Sequence, residues 1–277
     1  MKVKYKTGLA FSYPDKDDAH MINPKDVRHV DLDGHFPYYN RSWWFRFWQN
    51  MLNFLFLILI IPSCYLRYGL KVKGRKYKHG FYAHLLKGSF LTTCNHVFEW
   101  DYICVRAAMA PRRGYFLMWK NNHNSSLGKI MRVVGSIPIP TKFDGMEKID
   151  QDLKNLFEDN RWLHIYSEGS MWYYEENIRP FKNGTFSLAY DYHLPIFPLV
   201  ISYRPAKGIF RLWKRHGYPC VTISIGEPQY PNLCLERSES INEIKTRIHR
   251  MMEEMQKRET PLISLDQQTR INKKAHI

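Results

Sequence analysis

Several kinds of chemistry lack their usual signatures in this chain. The five cysteines, Cys64, Cys94, Cys104, Cys220 and Cys234, are odd in number, scattered and without a C-x-x-C pair. That pattern predicts reduced thiols in a cytosolic environment rather than a disulfide frame or a structural zinc. No G-x-S-x-G elbow occurs, which argues against a serine lipase or thioesterase. Basic Met1-Lys2-Val3-Lys4 is followed by no apolar run, so no cleavable secretory signal is expected. Repeats and low-complexity tracts are absent. Acidic residues are the scarcer charge, 26 Asp and Glu against 41 Lys and Arg, leaving +15. A basic, aromatic-rich surface suits a nucleic-acid backbone or an anionic membrane. With no helix-turn-helix, zinc-finger or RRM signature, no nucleic-acid partner is expected.

One long apolar stretch is present, and it favours the membrane. From Phe47 to Leu66 there is no charged residue, about the minimum for a helix to cross a hydrocarbon core. Trp43, Trp44 and Trp48 crowd one end, while Arg67, Lys71, Lys73, Arg75, Lys76 and Lys78 follow the other. Aromatics at an interface and a basic flank beside anionic lipids fit that order, with the rest of the chain on the cytoplasmic face. Pro62 interrupts the run, and a segment dipping into one leaflet would read the same as a crossing one.

Before this stretch, residues 1–40 show no sustained period and are expected to form an irregular extension. Asp31, Asp33 and His35 fall on one side of an extended segment, as metal ligands can. Ligand spacing occurs nowhere else, so solvated loop polarity is the reading and no metal is expected. Residues 41–69 are the expected membrane-associated helix, 70–260 the main domain and 261–277 a polar tail.

Beyond residue 70 short β-rich runs alternate with helical patterns. Strands are predicted at Leu70–Val72, Ser89–Cys94, Tyr115–Trp119, Ile137–Ile139, Trp162–Tyr166, Ile196–Ser202 and Val221–Ile225. Helices are predicted at Tyr102–Ala110, Leu127–Val134, Met146–Asp159, Phe181–Tyr192 and Ile241–Lys257, the last packing Ile241, Ile244, Ile248 and Met251 inward. Such alternation predicts an α/β fold, a largely parallel sheet flanked by helices, with its site beyond the carboxyl ends of the strands.

At such a place stands Thr93-Cys94-Asn95-His96-Val97-Phe98-Glu99-Trp100-Asp101. Five residues of straight helix turn through about 500°, so His96 and Asp101 would not share one helix face. They meet if His96 lies in the turn and Asp101 in the first turn of the following helix. The carboxylate then fixes the imidazole tautomer and leaves the other ring nitrogen to accept a proton. An Asp at a helix start is often only a cap. Three later segments weigh against that: Gly135-Ser136-Ile137-Pro138-Ile139-Pro140-Thr141-Lys142, Tyr166-Ser167-Glu168-Gly169-Ser170, and Leu194 to Ile201 with Pro195 and Pro198. Cys94 alternates away from His96 on an extended strand and is read as core.

In order and spacing these segments resemble the four blocks of the glycerolipid acyltransferase superfamily, best known in 1-acylglycerol-3-phosphate acyltransferases. Asn95, His96 and Asp101 match its Asn-His-x4-Asp block. Glu168 and Gly169 match the centre of its Phe-Pro-Glu-Gly-Thr block, and Phe181-Lys182-Asn183-Gly184 is similar to a further Phe-Lys-x-Gly segment. The resemblance covers about residues 70–226. Thr141 stands where an Arg usually closes the second block, and Met171 where another Arg follows the third.

The resemblance implies transfer of a fatty acyl group from a thioester, acyl-CoA or acyl-ACP, to a lysophospholipid hydroxyl, first of all 1-acylglycerol-3-phosphate. Remodelling of a lysocardiolipin-type acceptor is the alternative, and a non-catalytic membrane scaffold the more distant one. His96 would be the general base, Asp101 its orienter, and no cofactor beyond the thioester co-substrate is implied. Glu168, Gly169 and Ser170 would meet the acceptor, with Gly135 in the same set and Lys142, Arg179 and Lys182 as cations for its phosphate. Oxyanion donors are expected from backbone N–H groups in the turn after His96 or at a neighbouring glycine. Anionic lipids would be the membrane partner.

Overall fold

Every residue of the strand Leu91–Cys94 is buried, which requires cover on both faces of its sheet. The computed structural model, describing residues 13–16, 19–21, 29–175, 177–213 and 219–259, supplies that cover. The expected polar tail and most of the stretch before residue 29 lie outside the described residues. Among the described residues the strands are β1 (Lys71–Lys73), β2 (Leu91–Cys94), β3 (Gly114–Met118), β4 (Ser136–Pro138), β5 (Trp162–Ile165), β6 (Ile196–Arg204) and β7 (Cys220–Ile225). They form one sheet in the order β1-β7-β6-β2-β5-β3-β4. Five neighbours, β6-β2-β5-β3-β4, are parallel, whereas β7 runs antiparallel to β6 and carries β1 with it. The α/β architecture with a largely parallel sheet is therefore as the alternation predicts.

Alternation along β2 and β5 divides the core. Phe90 and Trp162 point to one face and stack at 5.6 Å, joined by Cys94, Cys104, Val105 and Phe197. Leu91 and Leu163 point to the other, against α6 (Phe143–Glu158), α7 (Gly184–Asp191) and α9 (Arg237–Glu259). In α9 the inward stripe is Ile241, Ile244, Ile248, Met252 and Met255, so Met252 takes the place predicted for half-buried Met251. Each such aliphatic side chain contributes about 2 kcal/mol by leaving water. Gly114 sits under the Trp162 ring, and a Cβ there would approach it to 2.2 Å. Leu32, Tyr38 and Tyr39, from the stretch expected to be an irregular extension, are also core residues.

The apolar stretch forms one helix from Trp43 to Tyr68, in three parts: α1 (Trp43–Leu55), a π-helical turn (Phe56–Ile60) and α2 (Ile61–Tyr68). By length and composition it is long and apolar enough to cross a membrane. Pro62 lacks the N–H a continuous helix would need, and the wider turn precedes it. Over α1 its faces are inverted relative to a soluble helix, whereas Phe56, Ile61 and Cys64 farther along pack into the core. Trp43, Trp44, Phe47, Trp48, Met51, Phe54, Leu55, Ile58 and Leu59 are exposed. Gln49, Asn50 and Asn53 instead turn to the domain. Tyr115 Oη donates to Gln49 at 3.0 Å, Arg113 to Asn50 at 2.7 Å, and buried Arg106 to Asn53. Arg106 belongs to α3 (Asp101–Met109).

Short elements without periodicity escaped prediction: 3-10 turns at Arg75–Lys78 and Gly80–Leu86, and helices α4 (Lys120–Asn124) and α8 (Ile209–Trp213); the helix expected at Leu127–Val134 is α5 (Gly128–Val134).

His164, fully buried on β5, shares a 2.8 Å hydrogen bond between Nδ1 and the Thr92 hydroxyl. Burial first, and then the nearby His96, pulls its imidazole down from 6.5 to about 3. The unfolded chain takes up a proton near pH 6.5 that the folded chain refuses until about 3. The neutral form therefore favours folding above pH 6.5, and that contribution is lost as pH falls through this window. The expected slope is up to about 1.4 kcal/mol per pH unit. Urea unfolding at a series of pH values should show a shallower decline for His164→Gln than for the wild type.

Candidate functional site

The turn after β2 is built by side chains that imitate backbone. The Asn95 amide donates to Ile201 O at 2.9 Å and accepts from Ile201 N–H at 2.8 Å, extending the ladder with β6 one step beyond Cys94. The chain then leaves the sheet at His96 and enters α3 at Asp101. His96 Nδ1 lies 2.6 Å from Asp101 Oδ2, and the same oxygen accepts the Val97 N–H at 3.1 Å. The other oxygen, Oδ1, accepts the Tyr166 hydroxyl. Tyr166 also lays its ring on the imidazole, centroids 3.8 Å apart and planes within 10°. Asp101 is 1% exposed, while His96 lines a cavity. With Nδ1 engaged, Nε2 is the nitrogen left to exchange a proton with a bound hydroxyl.

A second carboxylate ties this turn to the one after β5. Glu168 accepts the His96 N–H at 3.1 Å, the Arg179 N–H at 3.1 Å and the Arg179 guanidinium at 2.8 Å. Arg179 also donates to Ser170 Oγ at 2.9 Å and lies 4.5 Å from the Trp172 ring centroid. Trp172 N–H in turn donates to His96 O at 3.0 Å. Burial pushes the Glu168 carboxyl up from its ordinary value, against the opposing pull of Arg179. Gly169, at φ +80°, lets the chain double back beneath the Lys182 side chain.

The cavity is about 850 Å3 and joins His96, Asp101 and Tyr166 to an apolar wall of Phe116, Met118, Met131, Ile149, Leu153 and Leu188. Lys182 is the only Lys or Arg among the described lining residues, beside Gly169 and Ser170. Such a space takes an extended apolar chain and one anionic group, with a histidine where they meet.

The site residues predicted from sequence divide accordingly. His96, Asp101, Gly169, Ser170 and Lys182 converge on the cavity. Glu168 and Arg179, expected at the acceptor, are 2% and 5% exposed and bind each other, so they brace the wall instead of lining it. Lys142, expected at the phosphate, pairs with Asp31 at 2.8 Å on the surface and is not among the lining residues. Gly135 caps α5 at φ +116°, with Gly114 O 2.8 Å from a would-be Cβ, a backbone role away from the lining. Of the backbone donors near this turn, His96 N–H is taken by Glu168, Val97 N–H by Asp101, and Gly169 N–H by Tyr166 O at 3.0 Å. Cys94 is fully buried and its thiol is raised by burial, in keeping with a core residue.

Tyr166, Trp172 and the lining pair His20 and Trp119, stacked at 4.1 Å, were not singled out from sequence. An aromatic two positions before Glu168 was the available signal for Tyr166.

Residues 70–202 match the family model described as Acyltransferase. No curated protein matches the chain. Among solved structures it is similar to the 1-acyl-sn-glycerophosphate (LPA) acyltransferase, PlsC, from Thermotoga maritima, at 15% identity and TM-score 0.47, over 76% of this chain and 88% of that one.

Glu168→Gln should leave Arg179 buried without its countercharge and cost about 3 kcal/mol or more in urea unfolding. Adding Arg179→Met should recover part of that loss.

Proposed function

We propose that the chain is a member of the glycerolipid acyltransferase superfamily, a reading supported by the match of residues 70–202 to the Acyltransferase family model, and that it is a membrane-bound enzyme transferring a fatty acyl group from a thioester to a lysophospholipid hydroxyl. The observation that carries this reading is the His96–Asp101 pair, 2.6 Å apart, at the head of an apolar cavity. The fatty chain lies along Phe116, Met118, Met131, Ile149 and Leu153. His96 Nε2 removes the acceptor hydroxyl's proton as the oxygen attacks the thioester carbonyl. Asp101 holds Nδ1–H and stabilises the imidazolium. Collapse of the tetrahedral intermediate breaks the C–S bond and forms the ester. The imidazolium proton then neutralises the departing thiolate. The thioester is already activated, so a base and good positioning suffice without a covalent enzyme intermediate or a cofactor.

Lys182 meets the acceptor phosphate, with the Gly169–Ser170 turn beside it. Either acyl-CoA or acyl-ACP serves as donor. 1-Acylglycerol-3-phosphate is the first acceptor in this reading. Thr141 and Met171, standing where Arg is usual, keep a lysocardiolipin-type acceptor as the second, because Lys182 alone gives a point charge and no bidentate grip.

The helix from Trp43 to Tyr68 holds the enzyme to the bilayer. Its polar side chains bind the domain and its exposed stripe is apolar, so a helix lying in one leaflet fits better than a crossing one. Reduced cysteines and the basic flank of Arg67, Lys71, Arg75 and Lys76 favour the cytoplasmic face and its anionic lipids.

Acyl transfer from labelled acyl-CoA to a panel of lysolipids tests the chemistry. His96→Ala and Asp101→Asn should each lower kcat/KM by about 10³-fold. Lys182→Ala should raise KM for anionic lysolipids by about tenfold while sparing kcat. Undiminished turnover in His96→Ala would refute the base assignment. Replacing Trp44, Trp48 and Phe54 together by Ser should release the protein from vesicles of phosphatidylglycerol and phosphatidylcholine.

A further inference from the structure

The third block of the superfamily commonly begins with Phe, and here Tyr166 occupies that place. A phenyl ring would stack on His96 equally well, so the hydroxyl is an addition that stacking does not explain. It has one acceptor in the structure, Asp101 Oδ1. Asp101 Oδ2 already serves His96 Nδ1 and the Val97 N–H, so Tyr166 completes the carboxylate's set of donors.

We infer that Tyr166 is a positioning residue of the acyl-transfer site, fixing the plane of the His96 imidazole with its ring and moderating the basicity of Asp101 with its hydroxyl. The inference rests on the reading of His96 as the base. A donor on Oδ1 draws charge from the carboxylate and weakens its support of the imidazolium. Burial and the nearby Asp101 raise the phenol well above its ordinary value, so it stays protonated and remains a donor.

Other groups face the dyad. His164 stands edge-on behind Tyr166, ring centroids 4.3 Å apart. Glu168 is balanced by Arg179, and Glu99 accepts the Tyr173 hydroxyl. Lys182 and His20 line the same cavity. Tyr166→Phe removes none of these groups, so a change in the titration of His96 reports the contact with Asp101.

Two readouts test the inference on the full chain in detergent: the pH dependence of kcat/KM, and NMR titration of ring-15N-labelled histidine, with the His96 signal assigned by its loss in His96→Gln. In Tyr166→Phe the His96 signal should titrate about one pH unit higher than in the wild type, and the acid limb of the rate profile should move with it. KM for the lysolipid should stay within about twofold, because the substituted atom acts through Asp101 and leaves the acceptor contacts in place. In an Asp101→Asn background Tyr166→Phe should cause no further shift. Should Tyr166→Phe not fold, 3,5-difluorotyrosine at position 166 keeps the ring, strengthens the donor and should move both readouts to lower pH. Superimposable profiles and titrations for wild type and Tyr166→Phe would overturn the inference. If the NMR shift appears while His96→Ala still turns over, the contact stands and the base assignment falls.

Discussion

The geometry of this site depends on one buried ion pair. Glu168 and Arg179 lie among apolar side chains, and the carboxylate spends its remaining acceptor capacity on backbone N–H groups, one of them that of His96. Two strand-to-turn switches, after β2 and after β5, are thereby fixed to each other at a single atom group. A buried charge pair is weak evidence of net stability, since desolvation offsets much of the attraction. Its value here is positional: His96 cannot shift without straining a hydrogen bond that has no water to replace it.

The apolar helix is governed by a different balance. A soluble protein turns the apolar stripe of a helix inward. Here Gln49, Asn50 and Asn53 hydrogen-bond to the buried Tyr115, Arg113 and Arg106, and eleven large apolar side chains remain outside. Water is a poor solvent for that surface, and lipid a good one. The exposed apolar surface thus follows from where the polar residues found their partners, as much as from the composition of the uncharged run.

Much of the sheet was legible in the sequence because strands buried on both faces leave unbroken β-rich runs, and α6 because its buried Ile149, Leu153 and Leu156 fall at helical spacing. The His96–Asp101 pair was legible because both residues fall within one local turn. The pairing of Glu168 with Arg179 was not legible, because it crosses a loop whose path carries no period. A carboxylate that holds backbone looks, in one dimension, the same as one that holds substrate. Gly135 and Lys142 were misplaced for a related reason: a glycine demanded by a left-handed helix end and a lysine paired with Asp31 carry no mark separating them from ligand-binding residues. The antiparallel β7 was invisible because strand direction leaves no trace in composition.

Helix α3 has Asp101 at its first position and Arg106 little more than one turn later. The first residue holds the imidazole, and the second is bonded to Asn53 on the apolar helix. About 7.5 Å of helix backbone therefore separates the carboxylate beside His96 from the residue that ties α3 to the apolar helix. A displacement of that helix is passed to the His96–Asp101 pair along a rod too short to bend. Little mechanical slack is left between the apolar helix and the His96–Asp101 pair, so the position of one constrains the other.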